Sequence, residues 1–354
     1  MVNTHFLIAA VLTALALTAL AGSAAPVANN AKISTAKAKS IPPPKIVSQP
    51  VNTFKVKKVI DADFADPAFV IFDGIWYAYA TTGNGVNAQV ATSKDGQNWS
   101  LLRKHETLPN PGKWADQKYP GIWAPDVVQA GNGKYVMYYS AKIPKLKSHC
   151  IGAAVADKPI GPFIAQSTPF ACPSAQGGAI DPSGFKDPAA DGKRYVVYKV
   201  DGNNIGKGGN CNNGVAPIVP TPLLLQQVDL RDGFTKIGGP VKILDRGTED
   251  GPLVEAPSLT RTADGKYVLF YSSNCYAGSK YDIAYAWADK VTGPYTKVAR
   301  FAITGMAGLY SPGGADISPD GKKMVFHASN GKGGRGMFTA QLTFDSKRRL
   351  VSTV

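Results

Sequence analysis

A short unit recurs along this chain: an acidic residue near proline or glycine, a glycine-containing turn, and a strand rich in aromatic and β-branched residues. In the first copy, Asp66-Pro67 is followed by Asp73-Gly74 and by Trp76-Tyr77-Ala78-Tyr79. Asp-Gly and Asn-Gly between such segments are strong hairpin signals. Further copies are centred on Asp126, Asp181, Glu255 and, in a degraded form, Asp316. The repeat therefore predicts successive β-sheet units.

Weaker strand signals follow the aromatic strand in several copies. In the first copy they are residues 88–93 and, after Asp95-Gly96, residues 99–102. Four strands per unit, five units and a period of roughly 40–75 residues are typical of β-propeller blades. We therefore predict an all-β fold, a five-bladed β-propeller with four antiparallel strands per blade. Its radial symmetry would place Asp66, Asp126, Asp181 and Glu255 around one channel.

Residues 1–25 are typical of a secretory signal peptide, although no Lys or Arg precedes the apolar run. Residues 6–21 are all apolar or threonine, and Gly22-Ser23-Ala24-Ala25 supplies a small-residue exit. The alternative is a membrane anchor, but a spanning helix needs about 20 apolar residues. We predict cleavage of this segment and secretion of the protein.

Residues 26–58 contain seven lysines and no acidic residue, with a Pro42-Pro43-Pro44 block. This composition predicts a disordered basic leader, so we place the propeller domain at residues 59–354. The net charge of the chain is +14, and the leader accounts for half of it. A nucleic-acid-binding function loses its main support, because much of the charge lies on the leader and not on a folded patch.

Four cysteines fit an oxidising compartment and allow three pairings. We favour Cys150 with Cys172 and Cys211 with Cys275, because each pair falls in connections between neighbouring blades. Metal binding is a poor alternative because the chain has no Cys-x-x-Cys spacing.

Two carboxyl groups on opposite sides of a sugar are the minimum apparatus of glycoside hydrolysis. Glu255 stands between Val254 and Ala256, and apolar surroundings favour the protonated form of a carboxyl group, so we predict it to be the acid. Asp66 is the candidate base. Asp181 would favour protonation of Glu255 through like-charge repulsion.

The acidic motifs resemble those of glycoside hydrolase family 43, over about residues 59–345. The motifs are Ala65-Asp66-Pro67, Gly121-Ile122-Trp123-Ala124-Pro125-Asp126, Ala179-Ile180-Asp181-Pro182 and Val254-Glu255-Ala256-Pro257. Members are five-bladed propellers that invert the anomeric centre. The resemblance implies that Asp66 is the general base, Glu255 the general acid, and Asp181 the residue that orients the acid and favours its protonation. Many members have glycine after the acid, where this chain has Ala256.

Four more residues are candidates for the site. Trp123 either stacks on the sugar, as similar tryptophans in the family do, or packs between blades. Asp126 is a weaker substrate-binding candidate with a structural alternative. Arg335 either reaches the pocket or belongs to a plain surface hairpin. His327 resembles the axial histidine that in many members sits at a calcium or other cation, although a lone histidine is more often hydrogen-bonded in the core.

These observations predict a secreted inverting glycoside hydrolase that cleaves α-L-arabinofuranosyl linkages in plant cell-wall arabinan or arabinoxylan. The alternatives are a β-xylosidase of the same family, a non-catalytic carbohydrate-binding propeller, and a propeller for protein partners. We expect a monomer that binds wall polysaccharide or oligosaccharide, neither nucleic acid nor membrane, and needs no cofactor for its chemistry. The loops at residues 142–149 and 203–222 are expected to decide between the sugars.

Overall fold

The computed structural model describes residues 54–144, 147–189 and 192–354. Their strands form five antiparallel sheets, which confirms the predicted five-bladed propeller. In these ranges no helix has the length and apolar character needed to span a bilayer. The predicted signal peptide and residues 26–53 of the predicted leader lie outside the described residues.

Each blade runs from an inner strand at the propeller axis to an outer strand. Blade I consists of β2 (Ala68–Phe72), β3 (Ile75–Ala80), β4 (Gln89–Ser93) and β5 (Trp99–Leu101). Blade II consists of β6 (Trp123–Gln129), β7 (Tyr135–Lys142), β8 (His149–Ala156) and β9 (Ile164–Ala165). Blade III consists of β10 (Ala179–Lys186), β11 (Arg194–Val200), β12 (Leu223–Val228) and β13 (Val241–Leu244). Blade IV consists of β14 (Val254–Arg261), β15 (Tyr267–Ser273), β16 (Asp282–Ala288) and β17 (Thr296–Ala302).

Blade V joins the two ends of the described chain. Its strands are β18 (Gly313–Ile317), β19 (Lys323–Ser329), β20 (Arg335–Asp345), β1 (Lys57–Ile60) and β21 (Leu350–Thr353). The N-terminal strand β1 pairs with β20, with Lys57 opposite Thr339, and thereby closes the ring. The 3-10 helices in the described ranges are Ser174–Gln176, Gly202–Ile205, Asn210–Asn212, Thr248–Asp250 and Met306–Gly308.

The fold begins earlier than the predicted boundary at residue 59. Phe54 is buried and packs edge-on against Phe301, with ring centroids 5.1 Å apart. Lys57 and Lys58 lie in β1. The predicted boundary is too late because the lysines of β1 resemble those of the basic leader. On the outer strand of a blade, charged side chains can face solvent while the backbone completes the sheet.

The predicted hairpins have the expected turn chemistry. Between β2 and β3, Asp73 and Gly74 both have positive φ, 49° and 74°. A two-residue turn with two positive φ angles matches the right-handed twist of the flanking strands. Because aspartate and glycine tolerate that conformation, the sequence pattern sets the register of the blade.

Five apolar clusters hold the blades together, one at each junction between neighbours. At the junction of blades IV and V, Phe270, Phe301 and Phe326 are all buried to within 1% of full burial. Burial of one such side chain stabilises the fold by roughly 1.5–3 kcal/mol. The aromatic strands of the sequence repeat thus form the contacts between sheets.

Five equivalent tripeptides line the propeller axis, one from each blade. They are residues 66–68, 124–126, 181–183, 256–258 and 314–316. The first residue of each has a left-handed backbone: Asp66, Ala124, Asp181, Ala256 and Gly314 have φ between 41° and 56°. In blades II to V a shift in strand register accompanies it, and such bulges re-aim side chains next to functional sites.

This alignment refines the prediction that Asp66, Asp126, Asp181 and Glu255 surround one channel. Asp66 and Asp181 are equivalent first residues, whereas Glu255 precedes the first residue of its tripeptide. Asp126 and Asp316 are third residues. The acids therefore divide into two layers at different depths along the axis.

Both favoured disulfides are present. Cys150 is bonded to Cys172, and Cys211 to Cys275. The second bond ties the connection after β11 to the connection after β15, and both of its cysteines line the large cavity described below.

Candidate active site

All five blades contribute to a cavity of about 660 Å³ at the mouth of the axis. That volume lies within the ~300–1,000 Å³ typical of small-ligand sites. We call Asp66, Asp181 and Glu255 the cavity acids, because all three line this space. The structure thus brings together three residues that the chain separates by up to 189 positions.

Asp66 is surrounded by groups that favour its ionised form. Arg335 Nη1 lies 3.0 Å from Asp66 Oδ1, and the Thr81 hydroxyl donates a 2.7 Å hydrogen bond to Oδ2. The Asp66 backbone N–H donates to His327 Nδ1 at 3.0 Å. Burial alone would raise the pKa of Asp66, but Arg335, His327 and Thr81 outweigh it and hold that pKa well below its usual range.

Asp181 has the opposite electrostatic surroundings. Its Oδ2 accepts a 3.0 Å hydrogen bond from the Ala256 backbone N–H, which joins blades III and IV. Burial, and then the neighbouring Glu255 carboxylate, raise the pKa of Asp181 well above its usual value. Asp181 therefore keeps its proton at a pH where Asp66 has none.

The surroundings of Glu255 differ from the apolar pocket that the sequence predicted. The side chain is buried, with the residue 9% exposed. Lys199 Nζ contacts Oε2 at 3.0 Å, and the Tyr281 hydroxyl donates to Oε1 at 2.8 Å. Val254 and Ala256 are its neighbours in sequence, but successive side chains of a strand point to opposite faces, so they do not surround its carboxyl group.

Trp123 lies on the wall of the cavity and is 39% exposed, so it is not a core residue between blades. Its indole stacks on the His149 ring, with centroids 3.6 Å apart and planes at 23°. Burial lowers the pKa of His149 to about 4, against the opposing effect of Asp201. A neutral imidazole therefore supports the indole at neutral pH.

Arg335 reaches the cavity, so the plain surface hairpin is the wrong alternative for it. Its guanidinium pairs with Asp66 and lies 5.5 Å from the ring centroid of Tyr276. Tyr276 also lines the cavity and is 55% exposed. Arg335 thus contacts both Asp66, the candidate base, and the exposed ring of Tyr276.

Asp126 lines the axis with Asp66 and Asp181 but is not among the residues that line the large cavity, so its substrate-binding role stays a prediction. Its Oδ2 accepts a hydrogen bond of 2.6 Å from the Gly184 backbone N–H, below the cavity on the axis. Burial, and then Asp316, raise the pKa of Asp126 to about 8. We call Asp126 and Asp316 the axial pair. Asp126 lies two residues after Ala124, the equivalent of Asp66, and a register shift falls between Trp123 and Asp126.

His327 is fully buried and stacks on Tyr281, with ring centroids 5.9 Å apart. Its Nε2 has no hydrogen-bond partner among the described residues. In the same ranges no group of three or more His, Cys, Asp or Glu is arranged to hold a metal. One imidazole nitrogen is not the oxygen-rich ligand set that calcium prefers. The axial cation therefore stays a prediction, and no step below depends on it.

A glycine is required beside His327. Gly314 has φ of 56°, and a Cβ atom at this position would lie 2.7 Å from the His327 ring and 3.3 Å from Asp66 Oδ1. The degraded fifth repeat thus lacks a side chain at its first tripeptide position because the histidine and Asp66 occupy that space.

Sequence reasoning missed several residues of the site. Lys199 carried a readable signal, because it is a lone charge in the apolar run Tyr195-Val196-Val197-Tyr198-Lys199-Val200, and a buried lysine needs a partner. Tyr281 and Thr81 carried none. The Asn-rich wall formed by residues 203–212 was recognised only as a loop, although Asn203, Asn204, Asn210 and Asn212 line the cavity.

Taken together, the fold and the site define a propeller enzyme that presents the carboxyl groups required for glycosidic bond hydrolysis. Residues 57–346 match the family model described as Glycosyl hydrolases family 43. The chain belongs to this family and is a glycoside hydrolase, as the resemblance of its motifs predicted.

Individual relatives agree with this assignment. The chain is 26% identical over 328 residues to a xylosidase/arabinosidase of Bacteroides ovatus, covering 81% of this chain and 94% of that protein. It is 26% identical over 256 residues to extracellular endo-alpha-(1->5)-L-arabinanase 2 of Bacillus subtilis (strain 168), covering 65% and 49%. The crystal structure of a thermostable family-43 glycoside hydrolase matches with a TM-score of 0.67 at 25% identity, covering 82% and 92%.

Proposed function

We propose that this protein is a secreted inverting hydrolase of α-L-arabinofuranosyl linkages in plant cell-wall arabinan or arabinoxylan. The observation that carries the proposal is the contrast among the cavity acids. Asp66 pairs with Arg335 and is held ionised, whereas burial and the neighbouring Glu255 raise the pKa of Asp181, so that a proton is retained beside Glu255. Inverting hydrolysis needs one carboxylate and one carboxylic acid at the same time.

In the proposed reaction, Asp66 accepts a proton from a water molecule as the water oxygen bonds to the anomeric carbon. Glu255 donates its proton to the glycosidic oxygen, and the bond between that oxygen and the anomeric carbon breaks, with the electron pair passing to the leaving group. Asp181 accepts a hydrogen bond from the Ala256 backbone N–H and so holds the strand of Glu255 across the blade junction. General acid and general base catalysis each contribute about 10²–10⁴-fold.

The walls of the cavity suit a saccharide. Trp123 and Tyr276 present exposed aromatic surface, which packs on the apolar faces of sugars. The amides of the Asn-rich wall offer donors and acceptors for hydroxyl groups. The substrate class is supported by the relatives, which are named as a xylosidase/arabinosidase and as an arabinanase.

A β-xylosidase is the second candidate. The name of the Bacteroides ovatus relative covers both sugars, and the cavity acids would serve either substrate. The choice would depend on the cavity wall, which includes Trp123, Tyr276 and the Asn-rich wall.

Secretion is supported by three features. The two disulfides suit an oxidising compartment. The Bacillus subtilis relative is named extracellular. Residues 6–21 have the composition of a signal-peptide apolar region.

The decisive assay resolves over time the products from linear arabinan, debranched arabinan, arabinoxylan and xylobiose. We expect arabinose or arabino-oligosaccharides, with the β-anomer appearing first in proton NMR because attack inverts the α-linkage. Release from xylobiose alone would favour the second candidate. The α-anomer as first product would contradict inversion.

The role of Glu255 is tested with Glu255→Gln. We expect the variant to lose activity on unactivated linkages. It should keep activity on a dinitrophenyl glycoside, because that leaving group needs no proton. Asp126→Asn, the same kind of change outside the cavity, is the control and should keep activity on both substrates. Full activity of Glu255→Gln on arabinan would overturn the assignment of the acid.

A further inference from the structure

Lys199 is the most completely buried charged side chain that touches the cavity acids. Its side chain is 0% exposed, and it lies on β11 opposite Ile180, next to Asp181. Its ammonium contacts Glu255 Oε2 at 3.0 Å and Asp201 Oδ1 at 3.0 Å. Burial would lower the pKa of Lys199, but Asp201, Glu255 and Asp181 outweigh burial and raise it. Lys199 therefore stays charged throughout the neutral range.

We propose that Lys199 and Asp201 form a compensated positioning pair that orients the Glu255 carboxyl group and sets the pH range in which it can donate a proton. The inference rests on the proposed function, because it assigns Glu255 as the general acid. It adds two residues that touch neither the scissile bond nor the attacking water in the proposed reaction.

The orientation follows from the contacts. Lys199 engages one oxygen of Glu255 and Tyr281 engages the other, so the plane of the carboxyl group is fixed. Both contacts are donated by groups with at most 2% exposure, so both donors are shielded from water.

The pH range follows from the charges. An ammonium at 3.0 Å on its own would keep Glu255 ionised, and an ionised residue cannot act as an acid. Asp201 supplies the opposite charge at the same distance. Its carboxylate therefore still balances the ammonium charge of Lys199 when Glu255 gains a proton. The other titratable or charged groups that face this position are Asp181, Tyr281, Asp66, His327 and Arg335.

The pair predicts opposite effects of two substitutions on the alkaline limb of the pH profile of kcat/KM. Lys199→Met removes the charge that favours ionised Glu255, so the limb should move to higher pH by about 1–3 units. Asp201→Asn leaves Lys199 uncompensated, so the limb should move to lower pH by about one unit or less. A residue that only packed would lower activity without these opposed shifts.

Two controls accompany these variants. Lys199→Arg keeps the charge and should return the limb to within about half a unit of wild type. Lys134→Met removes a lysine from an exposed pair with Asp157 and should leave the profile unchanged. Shifts of equal sign in Lys199→Met and Asp201→Asn, or no shift in either folded variant, would overturn the proposal. If Lys199→Met does not fold, the other two variants test the proposal. A limb that moves to lower pH in Asp201→Asn and stays in place in Lys199→Arg supports it, and an unmoved limb in folded Asp201→Asn overturns it.

A readout without turnover separates this inference from the proposed function. The side-chain carbon of Glu255, labelled with ¹³C and assigned with Glu255→Gln, reports its titration directly. The titration midpoint of Glu255 should rise in Lys199→Met and fall in Asp201→Asn even if neither arabinan, arabinoxylan nor xylobiose is hydrolysed. Inactive wild-type protein with these shifts contradicts only the proposed function, whereas active wild-type protein without them contradicts only the inference.

Discussion

The cavity acids and the axial pair derive from the same sequence repeat but have opposite surroundings. Asp66 and Glu255 each contact a cationic side chain, Arg335 or Lys199. In the axial pair, Asp316 accepts hydrogen bonds from the Phe69 backbone and the Ser258 hydroxyl, and Asp126 accepts one from the backbone of Gly184. One layer is supplied with charge and opens to a cavity. The other is buried and joins neighbouring blades.

This difference shows that position within the tripeptide decides the use of an acid. An acid at the first position, or just before it, faces the cavity, where Asp66 and Glu255 each contact a cation while Asp181 has a raised pKa. A carboxyl group at the third position lies deeper, and burial raises the pKa of Asp316 to about 6. Carboxyl groups with raised pKa can bind backbone N–H groups of adjacent blades without needing a cation.

The largest effect is expected for Asp66→Asn. The amide cannot accept a proton from water, so kcat should fall by about 10³-fold, within the range for loss of a general base. Steady-state kinetics on arabinan and a thermal melt measure the two properties separately. Asp126→Asn is the matched control from the other layer, and an equal loss of kcat in that variant would remove the distinction between the layers.

The next effect concerns the counterion of Asp66. Arg335 holds the pKa of Asp66 low against burial, so Arg335→Met should raise that pKa. Because Asp66 must be ionised to act, the acidic limb of kcat/KM should move to higher pH by about 1–3 units. The control is Arg348→Met, which removes an exposed arginine that lies 3.7 Å from Asp345. An unmoved acidic limb in the folded Arg335 variant would show that this ion pair does not set the charge of Asp66.

Much of the fold was predictable from the sequence because its signals are local. Asp73-Gly74 specifies a hairpin wherever it occurs between strands, and repetition of that signal specifies the blades. The closing strand β1 was not predictable, because Lys57 and Lys58 resemble the lysine-rich leader. Only pairing with β20, some 280 residues away, distinguishes them.

For the site, the sequence could identify the cavity acids but not their partners. Asp66, Asp181 and Glu255 stand one or two residues before a proline in recurring motifs, so their convergence follows from symmetry. The depth of Asp126 depends on a register shift between Trp123 and Asp126, for which the sequence has no clear signal. The contact of Lys199 with Glu255 crosses a blade junction, and residue spacing does not encode such contacts.

A third prediction tests the structural role of the deeper layer. Asp316→Ala removes the acceptor of two buried hydrogen bonds, from Phe69 N–H and the Ser258 hydroxyl. Unfolding in urea should show a loss of about 1–3 kcal/mol of stability, while kcat of the folded enzyme changes less than about threefold. Ser258→Ala removes one of these bonds together with the 3.2 Å bond that its hydroxyl accepts from Ile317 N–H, so its cost should be of the same order. A loss of kcat comparable to that of Asp66→Asn would place Asp316 in the reaction instead.

The last prediction concerns the pH dependence of folding stability, which separates the charge of Asp126 from its hydrogen bond. The pKa of Asp126 is about 8 in the folded protein, against about 3.9 for an unfolded aspartate. The folded state therefore binds the extra proton between these values, so the stability that Asp126 contributes is greatest below about pH 4 and falls as pH rises through about 8. Asp126→Asn is always neutral, and its amide oxygen can still accept from Gly184 N–H.

The stability of Asp126→Asn relative to wild type should therefore increase with pH, by about 1.4 kcal/mol per pH unit between about pH 5 and pH 8. Urea unfolding at a series of pH values measures this difference. Asp157→Asn, the same substitution at an exposed carboxylate, should give a nearly constant difference. A constant difference for Asp126→Asn as well would mean that Asp126 is already ionised in the folded protein. The two layers would then differ in solvent access but not in charge.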